Sequence, residues 1–556
     1  MDKRERLFTL RDRRSDGRAG AGALRGLAAA AAISIAWASL YVEAAEGIGR
    51  PNIVLLLADD LGYGDLGCYN PEGKISTPEI DRLAASGMRF TDAHASSSVC
   101  TPTRYSLLTG RYAWRTRLQR GVLGGFSPPL IEPGRLTVAE LLKRRGYRTA
   151  CVGKWHLGMA WARKPGTPAF GDGIERGPEG WNADFAQPIS GGPNAAGFEH
   201  YFGISASLDM VPYTFIENDR VTKLPTEDRA FELMAGRPGR TTRRGPAAAG
   251  FEAEEVLETL TRKAVEFIGR HAEGARRGEP FFLYIAFASP HTPIAPSAGF
   301  RGKSGLNPYG DFVAETDACV GRILGALEDH ELAKDTLVFF TSDNGCSPEA
   351  DFPLLLSRGH NPSYLFRGHK ADIFEGGHRV PLIVRWPGKV RSGSTCDRLV
   401  GLVDLLATVA EIVGAELPDN AGEDSVSFLP ALLGRTERPP REALVHHSID
   451  GSFAVREGRW KLILCPDSGG WSSPRPGSAE ARALPPVQLY DLGSDPGERA
   501  NLCDRQPEIA ARLTRLLENY VADGRSAPGR PQANAVPVKI RRDADEPSRR
   551  SSSREN

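Results

Sequence analysis

The chain reads Asn52-Ile-Val-Leu-Leu-Leu-Ala58-Asp59-Asp60 near its start, and this stretch decides the fold class. The apolar run does not alternate with polar residues, which is typical of a strand that is covered on both faces. Ligands bind at the carboxyl ends of strands in open α/β sheets. The acidic pair that follows the run therefore also marks a candidate functional site.

Outward from this strand, apolar runs alternate with helical patterns along most of the chain. Such alternation predicts an α/β fold, with a large mixed, mostly parallel sheet and helices on both faces, over residues 50–435. Residues 164–198 and 222–250, rich in Gly and Pro, are predicted as loops. The other predicted strands are residues 148–152, 281–288, 336–341 and 380–385, and the predicted helices are residues 77–87, 137–146, 253–272, 312–330 and 404–413.

The C-terminal part has a different texture. Short apolar segments predict an antiparallel sheet, and an amphipathic pattern over residues 507–520 predicts a helix. We therefore expect a smaller α+β domain over residues 440–523. Residues 524–556 are rich in Arg, Ser, Pro and Asp without apolar periodicity, and they are predicted to be a disordered tail. The predicted short strands are residues 443–447, 452–456, 461–465 and 487–490.

The N-terminus has the layout of a secretory signal peptide. A basic region precedes an uncharged stretch from Gly26 to Val42, and small residues follow at Ala44 and Ala45. We expect residues 1–45 to direct export to the periplasm or the exterior, since the apolar stretch is short for a membrane span. An uncleaved anchor, or a start codon upstream of a shorter leader, are the alternatives.

Composition excludes some classes of protein. Seventy Lys and Arg residues against sixty-nine Asp and Glu residues leave a net charge of +1, so no overall field favours a nucleic-acid partner. Eight cysteines in 556 residues are too few for a scaffold built on disulfides. We expect few disulfides or none.

A second polar pair, Asp343-Asn344, follows another apolar run, residues 336–342. Either pair alone is more often a turn or cap than a metal site. Together the two pairs supply four oxygen-bearing side chains, the ligand type that Ca²⁺ and Mg²⁺ prefer.

The most specific segment is Cys100-Thr-Pro-Thr-Arg104, followed by Leu108-Thr-Gly-Arg111. Read locally, Cys100 lies near a helix N-terminus and beside an arginine, where negative charge is favoured. A buried structural cysteine is the ordinary alternative. The motif resembles the signature of type I, formylglycine-dependent sulfatases, the arylsulfatase family of the alkaline phosphatase superfamily. Thr103 departs from it, because Ser or Ala is commoner there.

The resemblance implies an alkaline-phosphatase-like fold and a modified nucleophile. Cys100 would be oxidised to formylglycine by a formylglycine-generating maturase during biosynthesis. One Ca²⁺ ion, with Mg²⁺ as the alternative, would occupy the site. The implied metal ligands are Asp59, Asp60, Cys100, Asp343 and Asn344.

Three further segments match sulfatase motifs in the family order: Gly153-Lys-Trp-His156, Ser289-Pro-His291 and Arg367-Gly-His-Lys370. His94, His369 and His378 have no counterpart among the family's catalytic residues and are interpreted as structural or supporting. The implied catalytic residues are Cys100, Arg104, Lys154, His156, His291 and Lys370.

The implied reaction is hydrolysis of a sulfate monoester through a covalent sulfo-enzyme. One hydroxyl of the hydrated aldehyde attacks sulfur with Asp343 as proton acceptor, while Arg104, Lys154, Lys370 and the metal ion bind the sulfuryl oxygens. His291, with Lys370 nearby, protonates the leaving alcohol, and His156 then drives the release of sulfate.

The substrate is predicted from a longer segment. Residues 198–220 resemble bacterial carbohydrate-sulfatase relatives, which points to sulfated saccharides, such as a sulfated galactose or N-acetylgalactosamine unit.

Three alternatives stay open at this point. A phosphonate monoester or phosphodiester hydrolase shares the nucleophile motif and the fold. A zinc phosphatase of the same superfamily would need more histidine ligands than these segments offer. An inactive glycan-binding relative would have lost nucleophile or metal residues, and none is missing here.

Overall fold

The computed structural model describes residues 49–173, 177–435 and 441–541. The predicted signal peptide, the predicted domain boundary at residue 440 and the last part of the predicted tail lie outside them. The described residues from Arg50 onward form one compact unit. Within the described part of the chain, none of the helices combines the length and apolar character that crossing a membrane requires.

Ten strands of the described chain form one large sheet. Its strands are β1 (Asn52–Ala58), β2 (Met88–Phe90), β4 (Arg148–Lys154), β5 (His200–Ile204), β6 (Ile216–Glu217), β7 (Arg220–Val221), β10 (Phe281–Ala286), β11 (Thr336–Ser342), β12 (Leu382–Arg385) and β13 (Ser394–Cys396). Two-stranded sheets are formed by β3 (Ala93–His94) with β14 (Val400–Gly401) and by β8 (Pro225–Arg229) with β9 (Gly245–Ala248).

The large sheet has the order β13-β2-β12-β11-β1-β10-β4-β5-β6-β7. Its five central strands, β11-β1-β10-β4-β5, are parallel, whereas β12 runs antiparallel to both of its neighbours. The prediction of a mixed, mostly parallel sheet is confirmed. β8 and β9 fall inside residues 222–250, so the prediction of an unstructured loop there is wrong for those two strands.

The central strand β1 shows why an unbroken apolar run was needed. Every residue from Asn52 to Ala58 is buried, and successive side chains point to opposite faces, so both faces of the sheet are covered. Ile53 lies opposite Phe282 on one side and opposite Leu337 on the other.

The helices begin where the sequence supplies caps. Thr137 Oγ1 accepts the backbone N–H of Glu140, and Asn307 caps the helix that starts at Pro308. The helices are α1 (Pro78–Ala85), α2 (Cys100–Thr109), α3 (Val138–Arg144), α4 (Val256–Arg276), α5 (Pro308–Asp329), α6 (Phe352–Ser357), α7 (Glu375–His378), α8 (Leu405–Ile412), α9 (Leu429–Leu432), α10 (Ala479–Arg482) and α11 (Pro507–Ala522).

The predicted antiparallel sheet of the C-terminal part is also present. It has the order β15-β16-β17-β18, and α11 packs on it through Leu513 and Leu517. Tyr112 and Trp114, which follow α2, belong to the same apolar cluster, so this sheet shares its core with the catalytic region. The four strands are β15 (Ala443–His447), β16 (Phe453–Glu457), β17 (Trp460–Ile463) and β18 (Gln488–Asp491).

The described part of the predicted tail is packed against the rest of the protein. Ser526 Oγ donates to Asp424 Oδ1 at 2.8 Å, and Asn534 Oδ1 accepts from Arg115 Nη1 at 2.8 Å. The prediction of disorder is therefore wrong for residues 524–541. Hydrogen bonds to buried charged groups hold this segment in place. Polar contacts of this kind do not require an apolar periodicity in the sequence, so the sequence pattern did not reveal them. The eight cysteines, all of which lie in described residues, form no disulfide bond.

Candidate active site

The parallel strands bring the predicted residues to one edge of the sheet. Asp59 follows β1, Lys154 ends β4, and Asp343 follows β11. β1 lies between β11 and β10, and β4 lies beyond β10, so these carboxyl ends are neighbours. His291 follows β10 by five residues.

Three carboxylates and one amide form the acidic centre of the site. Oxygens of Asp59, Asp60 and Asp343 all lie within 4.8 Å of one another. Asn344 Nδ2 donates to Asp60 Oδ1 at 2.7 Å. Asp59 Oδ1 and Asn344 Oδ1 are buried and have no hydrogen-bond partner among the described residues. Buried oxygens left in this way fit a hard divalent cation, whose ligands are carboxylate and amide oxygens.

Each carboxylate has a cationic partner. Lys154 Nζ lies 2.6 Å from Asp59 Oδ2, and Lys370 Nζ lies 2.7 Å from Asp60 Oδ2. Arg104 Nη2 lies 2.8 Å from Asp343 Oδ2 and 3.6 Å from Asp59 Oδ2. The cationic groups thus hold the acidic centre in place, in addition to whatever contacts they make with a substrate.

These charges shift the pKa values of the acids in opposite directions. Although burial opposes it, Lys154 and His291 hold the pKa of Asp59 well below its usual range. Burial and the Asp59 carboxylate raise the pKa of Asp343 to about 7, against the opposing effect of Arg104.

Cys100 is the first residue of α2 and is buried. Its Sγ, a carboxylate oxygen of Asp59 and a ring nitrogen of His291 lie within 4.8 Å of one another. Unpaired N–H groups at the helix start favour negative charge on an oxygen at this position. Thr103 Oγ1 donates to Ser97 O at 3.0 Å, so the threonine supplies the hydroxyl that serine would supply.

His156 and His291 present different ring nitrogens. His156 Nε2 pairs with Leu123 O at 2.8 Å, whereas His156 Nδ1 is buried without a partner among the described residues. A proton on Nε2 therefore leaves Nδ1 as a bare acceptor. His291 Nδ1 pairs with Thr292 O at 2.6 Å, and its Nε2 lies 3.7 Å from Asp60 Oδ2.

The charge surroundings of the two rings also differ. Burial, Lys154 and Arg104 hold the pKa of His156 well below its usual range. Burial and Lys370 oppose protonation of His291, but the carboxylates of Asp60 and Asp59 outweigh them and raise its pKa.

Two of these residues adopt a backbone conformation that side chains disfavour. Asp60 has φ = 65° and His156 has φ = 57°, both in the left-handed region. Gly153, with φ = 124°, precedes Lys154, and a Cβ there would lie 1.9 Å from Ala286 O. Residues in such conformations cluster at active sites, where the surrounding structure holds them in place.

Comparison with known proteins identifies this constellation. The profile of the Sulfatase family matches residues 51–415, which span the acidic centre, Cys100 and the basic residues. The chain belongs to the sulfatase family. It is a sulfuric ester hydrolase of the alkaline phosphatase superfamily. A second profile, the C-terminal region of N-sulphoglucosamine sulphohydrolase, matches residues 368–471 of this sulfatase.

Individual relatives cover nearly the same span. The sulfatase is 35% identical to an N-acetylgalactosamine-6-O-sulfatase of Bacteroides thetaiotaomicron over 84% of its own length and 93% of that protein. It is 36% identical to human arylsulfatase A, over 86% and 90% of the two chains. A solved structure from a study of glycosaminoglycan metabolism by B. thetaiotaomicron superposes with a TM-score of 0.72 at 34% identity, covering 84% of this chain and 99% of that one.

A second histidine group of the sulfatase lies outside this centre. His94, His378 and His446 are buried, with ring nitrogens within 4.8 Å of one another. The rings of His378 and His446 stack at 3.8 Å with an angle of 11° between their planes. Lone pairs lie in the ring planes, so two parallel stacked rings are poorly placed to share one ion. The expected structural role of His94 and His378 fits this packing.

Two groups beside the site were absent from the sequence predictions. Leu123 contributes a backbone carbonyl to His156, which no side-chain pattern reveals. Asp209 follows β5 and pairs with Arg243. Asp209 lies in the segment that resembles carbohydrate sulfatases, but its sequence alone does not distinguish it from a turn residue.

Proposed function

We propose that this sulfatase hydrolyses sulfate monoesters of saccharides, with the predicted catalytic residues and metal ligands in the roles that the family resemblance implies. The observation that carries the proposal is the charge balance of the buried centre. Three carboxylates face Arg104, Lys154 and Lys370, all with side chains exposed by 8% or less. The three carboxylates and the three cationic side chains balance each other, so a bound sulfate ester would add unpaired negative charge. A divalent cation held by the carboxylate oxygens would neutralise that charge.

Two groups complete the site when the protein is mature. A Ca²⁺ ion, held by Asp59, Asp60, Asp343, Asn344 and residue 100, would supply positive charge opposite the sulfuryl oxygens; Mg²⁺ is the alternative. Formylglycine at residue 100, made by a maturase, would supply an aldehyde hydrate with one hydroxyl for attack and a second for release of sulfate.

The side chains of the chain then divide the proton transfers. Asp343 accepts the proton of the attacking hydroxyl. His291, held through Nδ1, uses Nε2 to protonate the alcohol as it leaves. His156, whose Nδ1 is free of hydrogen bonds from the described residues, takes the proton that triggers sulfate release. Lys370 and Lys154 hold the acidic centre and bind sulfuryl oxygens.

The saccharide substrate rests on the relatives. The bacterial relative named for N-acetylgalactosamine 6-sulfate is 35% identical over 84% of this chain. We expect a sulfated hexosamine or hexose unit of a glycan to be preferred. Substrates of this kind are extracellular, which agrees with the export predicted from residues 1–45.

The experiment compares protein produced with and without a formylglycine-generating enzyme. Matured protein is assayed on position-defined sulfated monosaccharides, nitrophenyl sulfate, an aryl phosphodiester and an aryl phosphonate. We expect a sulfated saccharide to be turned over fastest, and mass spectrometry to show the lighter aldehyde form of the peptide that contains residue 100. Faster turnover of the phosphonate or phosphodiester, or full activity with an unmodified thiol, would overturn the proposal. Cys100→Ser lacks the second hydroxyl and should stall after accepting sulfate, whereas Cys503→Ser, at a partly exposed cysteine, is the control and should keep full activity.

A further inference from the structure

Asp209 lies in the segment that follows β5 and forms an ion pair with Arg243. Its segment begins at the carboxyl end of β5, next to β4, where Ser205 O accepts the backbone N–H of His156 at 2.9 Å. Four residues further along, Asp209 Oδ2 accepts from Arg243 Nη1 at 2.5 Å. The backbone also joins them, since Arg243 N donates to Asp209 O at 3.3 Å.

The segment that precedes Arg243 is tied to the segment that carries His291. Ile294 N donates to Leu233 O at 2.8 Å, and Ala235 N donates to Ile294 O at 2.9 Å. The Asp209–Arg243 pair therefore connects the segment that binds the backbone of His156 with a segment that is hydrogen-bonded to the loop of His291. Although burial opposes it, Arg243 and His291, with a smaller effect of Lys370, lower the pKa of Asp209, so the carboxylate is favoured in its charged form.

This pair retains unused hydrogen-bonding capacity. Asp209 Oδ1 is buried and has no partner among the described residues, and the two side chains keep 16% and 20% of their surface exposed. A structural ion pair deep in a protein normally has all of its oxygens satisfied. A pair that is hydrogen-bonded at one carboxylate oxygen and unpartnered at the other, with part of both side chains exposed, is suited to bind a polar ligand.

We propose that Asp209 and Arg243 form a subsite for hydroxyl groups of the saccharide alcohol that leaves. The inference rests on the proposed function, because His291 is the proton donor to that alcohol and its segment is hydrogen-bonded, through Ile294, to the segment that precedes Arg243. The carboxylate accepts a hydrogen bond from a sugar hydroxyl, and the guanidinium donates one to a neighbouring oxygen. Hydrogen bonds to charged groups are the strong ones, so this contact selects a sugar alcohol over an aryl alcohol.

The test measures kcat/KM of matured protein on a sulfated monosaccharide, on its monodeoxy analogues and on nitrophenyl sulfate. Asp209→Ala should lower the ratio of sugar to aryl kcat/KM by about 10- to 100-fold, the value of a hydrogen bond to a charged group. The wild type should discriminate against one particular deoxy sugar, and Asp209→Ala should lose that discrimination. Asp209→Asn keeps the side-chain shape and should show a smaller change of the same sign.

The pair Asp228–Arg244 gives the control, because Arg244 is the residue next to Arg243 and the side chains of this pair are 50% and 66% exposed. Asp228→Asn should leave the sugar-to-aryl ratio at the wild-type value. Equal losses on both substrate classes in Asp209→Asn, or unchanged discrimination among the deoxy sugars, would overturn the subsite while leaving the proposed function intact. If the wild type cleaves aryl sulfate but no sugar sulfate, the proposed function and the subsite both fail.

Discussion

Arg104 donates two hydrogen bonds to one oxygen of Asp343, from Nε at 3.0 Å and from Nη2 at 2.8 Å. Its Nη1 donates to the backbone oxygen of Lys154 at 3.2 Å. All three guanidinium nitrogens are therefore engaged inside the protein. We infer that Arg104 orients Asp343 and the end of β4 in addition to binding sulfuryl oxygens, the role that the family resemblance implies.

Arg104→Lys should therefore weaken binding of the metal ion. A lysine offers a single point of attachment and cannot hold both Asp343 and the Lys154 carbonyl. Loss of a partner that orients a metal ligand typically costs about 10- to 100-fold in affinity or activity. Titration of the metal-free protein with Ca²⁺, followed by calorimetry and by activity, measures the effect.

The control for this variant is another buried arginine that binds a carboxylate through Nε and Nη2. Arg441 binds Asp404 through Nε at 3.0 Å and Nη2 at 2.6 Å, outside the predicted site. Arg441→Lys should lower the melting temperature without changing Ca²⁺ affinity. An Arg104→Lys protein with normal Ca²⁺ affinity and only a raised KM would assign Arg104 to sulfate binding alone and contradict its role in orienting Asp343.

Asp59→Asn should remove the ion and abolish turnover. The substitution keeps the shape of the side chain but replaces a charged ligand by a neutral amide, and it removes the negative charge that lies 2.6 Å from Lys154. Elemental analysis should show about one hard divalent ion per wild-type chain and a marked loss in the variant. Asp317→Asn, at a carboxylate that accepts the backbone N–H of Ile80 at 2.8 Å, should keep the ion. Two zinc ions per wild-type chain would contradict the single-ion site.

The sequence allowed the central strands and the residues at their ends to be predicted for one physical reason. Strands buried on both faces need unbroken apolar runs, and polar residues at the ends of β1 and β11 then converge because parallel strands share an edge. Lys154 was expected at the end of a strand for the same reason, and it is the last residue of β4.

Other features depend on contacts between distant segments, which a single sequence does not encode visibly. The pairing of Arg104 with Asp343 joins residues 239 positions apart, and the nitrogen that His156 presents is set by the carbonyl of Leu123. The sequence also failed to predict that residues 524–541 are ordered, since a composition of Ser, Pro and Arg gives no apolar pattern.

Deletion of residues 524–556 should destabilise the protein. It removes Asn534 from Arg115, and it removes from buried Asp424 the hydroxyl of Ser526, which donates at 2.8 Å. Hydrogen bonds to charged groups contribute about 1.5–3 kcal/mol each, so we expect the free energy of unfolding to fall by about 3 kcal/mol or more. Denaturant unfolding measures it. Deletion of residues 542–556 alone is the control and should change little; equal stability of the two truncations would refute the role of this segment.

His291→Ala should impair sugar sulfates more than nitrophenyl sulfate. The phenolate of nitrophenyl sulfate leaves without a proton, whereas a sugar alcohol needs one from His291 Nε2. General acid catalysis contributes about 10²- to 10⁴-fold. The ratio of kcat/KM on sugar sulfate to kcat/KM on nitrophenyl sulfate should therefore decrease by a factor in that range. His271→Ala, at a half-buried histidine of α4, is the control. A uniform loss on both substrates would assign His291 to sulfate binding.

His156→Ala should act on a later step and therefore show a different kinetic signature. His156 Nδ1 is the free acceptor proposed to take the proton that releases sulfate, after the alcohol has already left. Without it, the sulfated enzyme should accumulate, with a burst of about one equivalent of alcohol before turnover stalls. Both substrates should then reach the same slow rate, because the step that limits them no longer contains the leaving group. Rapid quenching and mass spectrometry of the peptide with residue 100 would detect the sulfated form. If the variant shows no burst and its loss depends on the leaving group, His156 serves the first step, and the division of work between the two histidines is wrong.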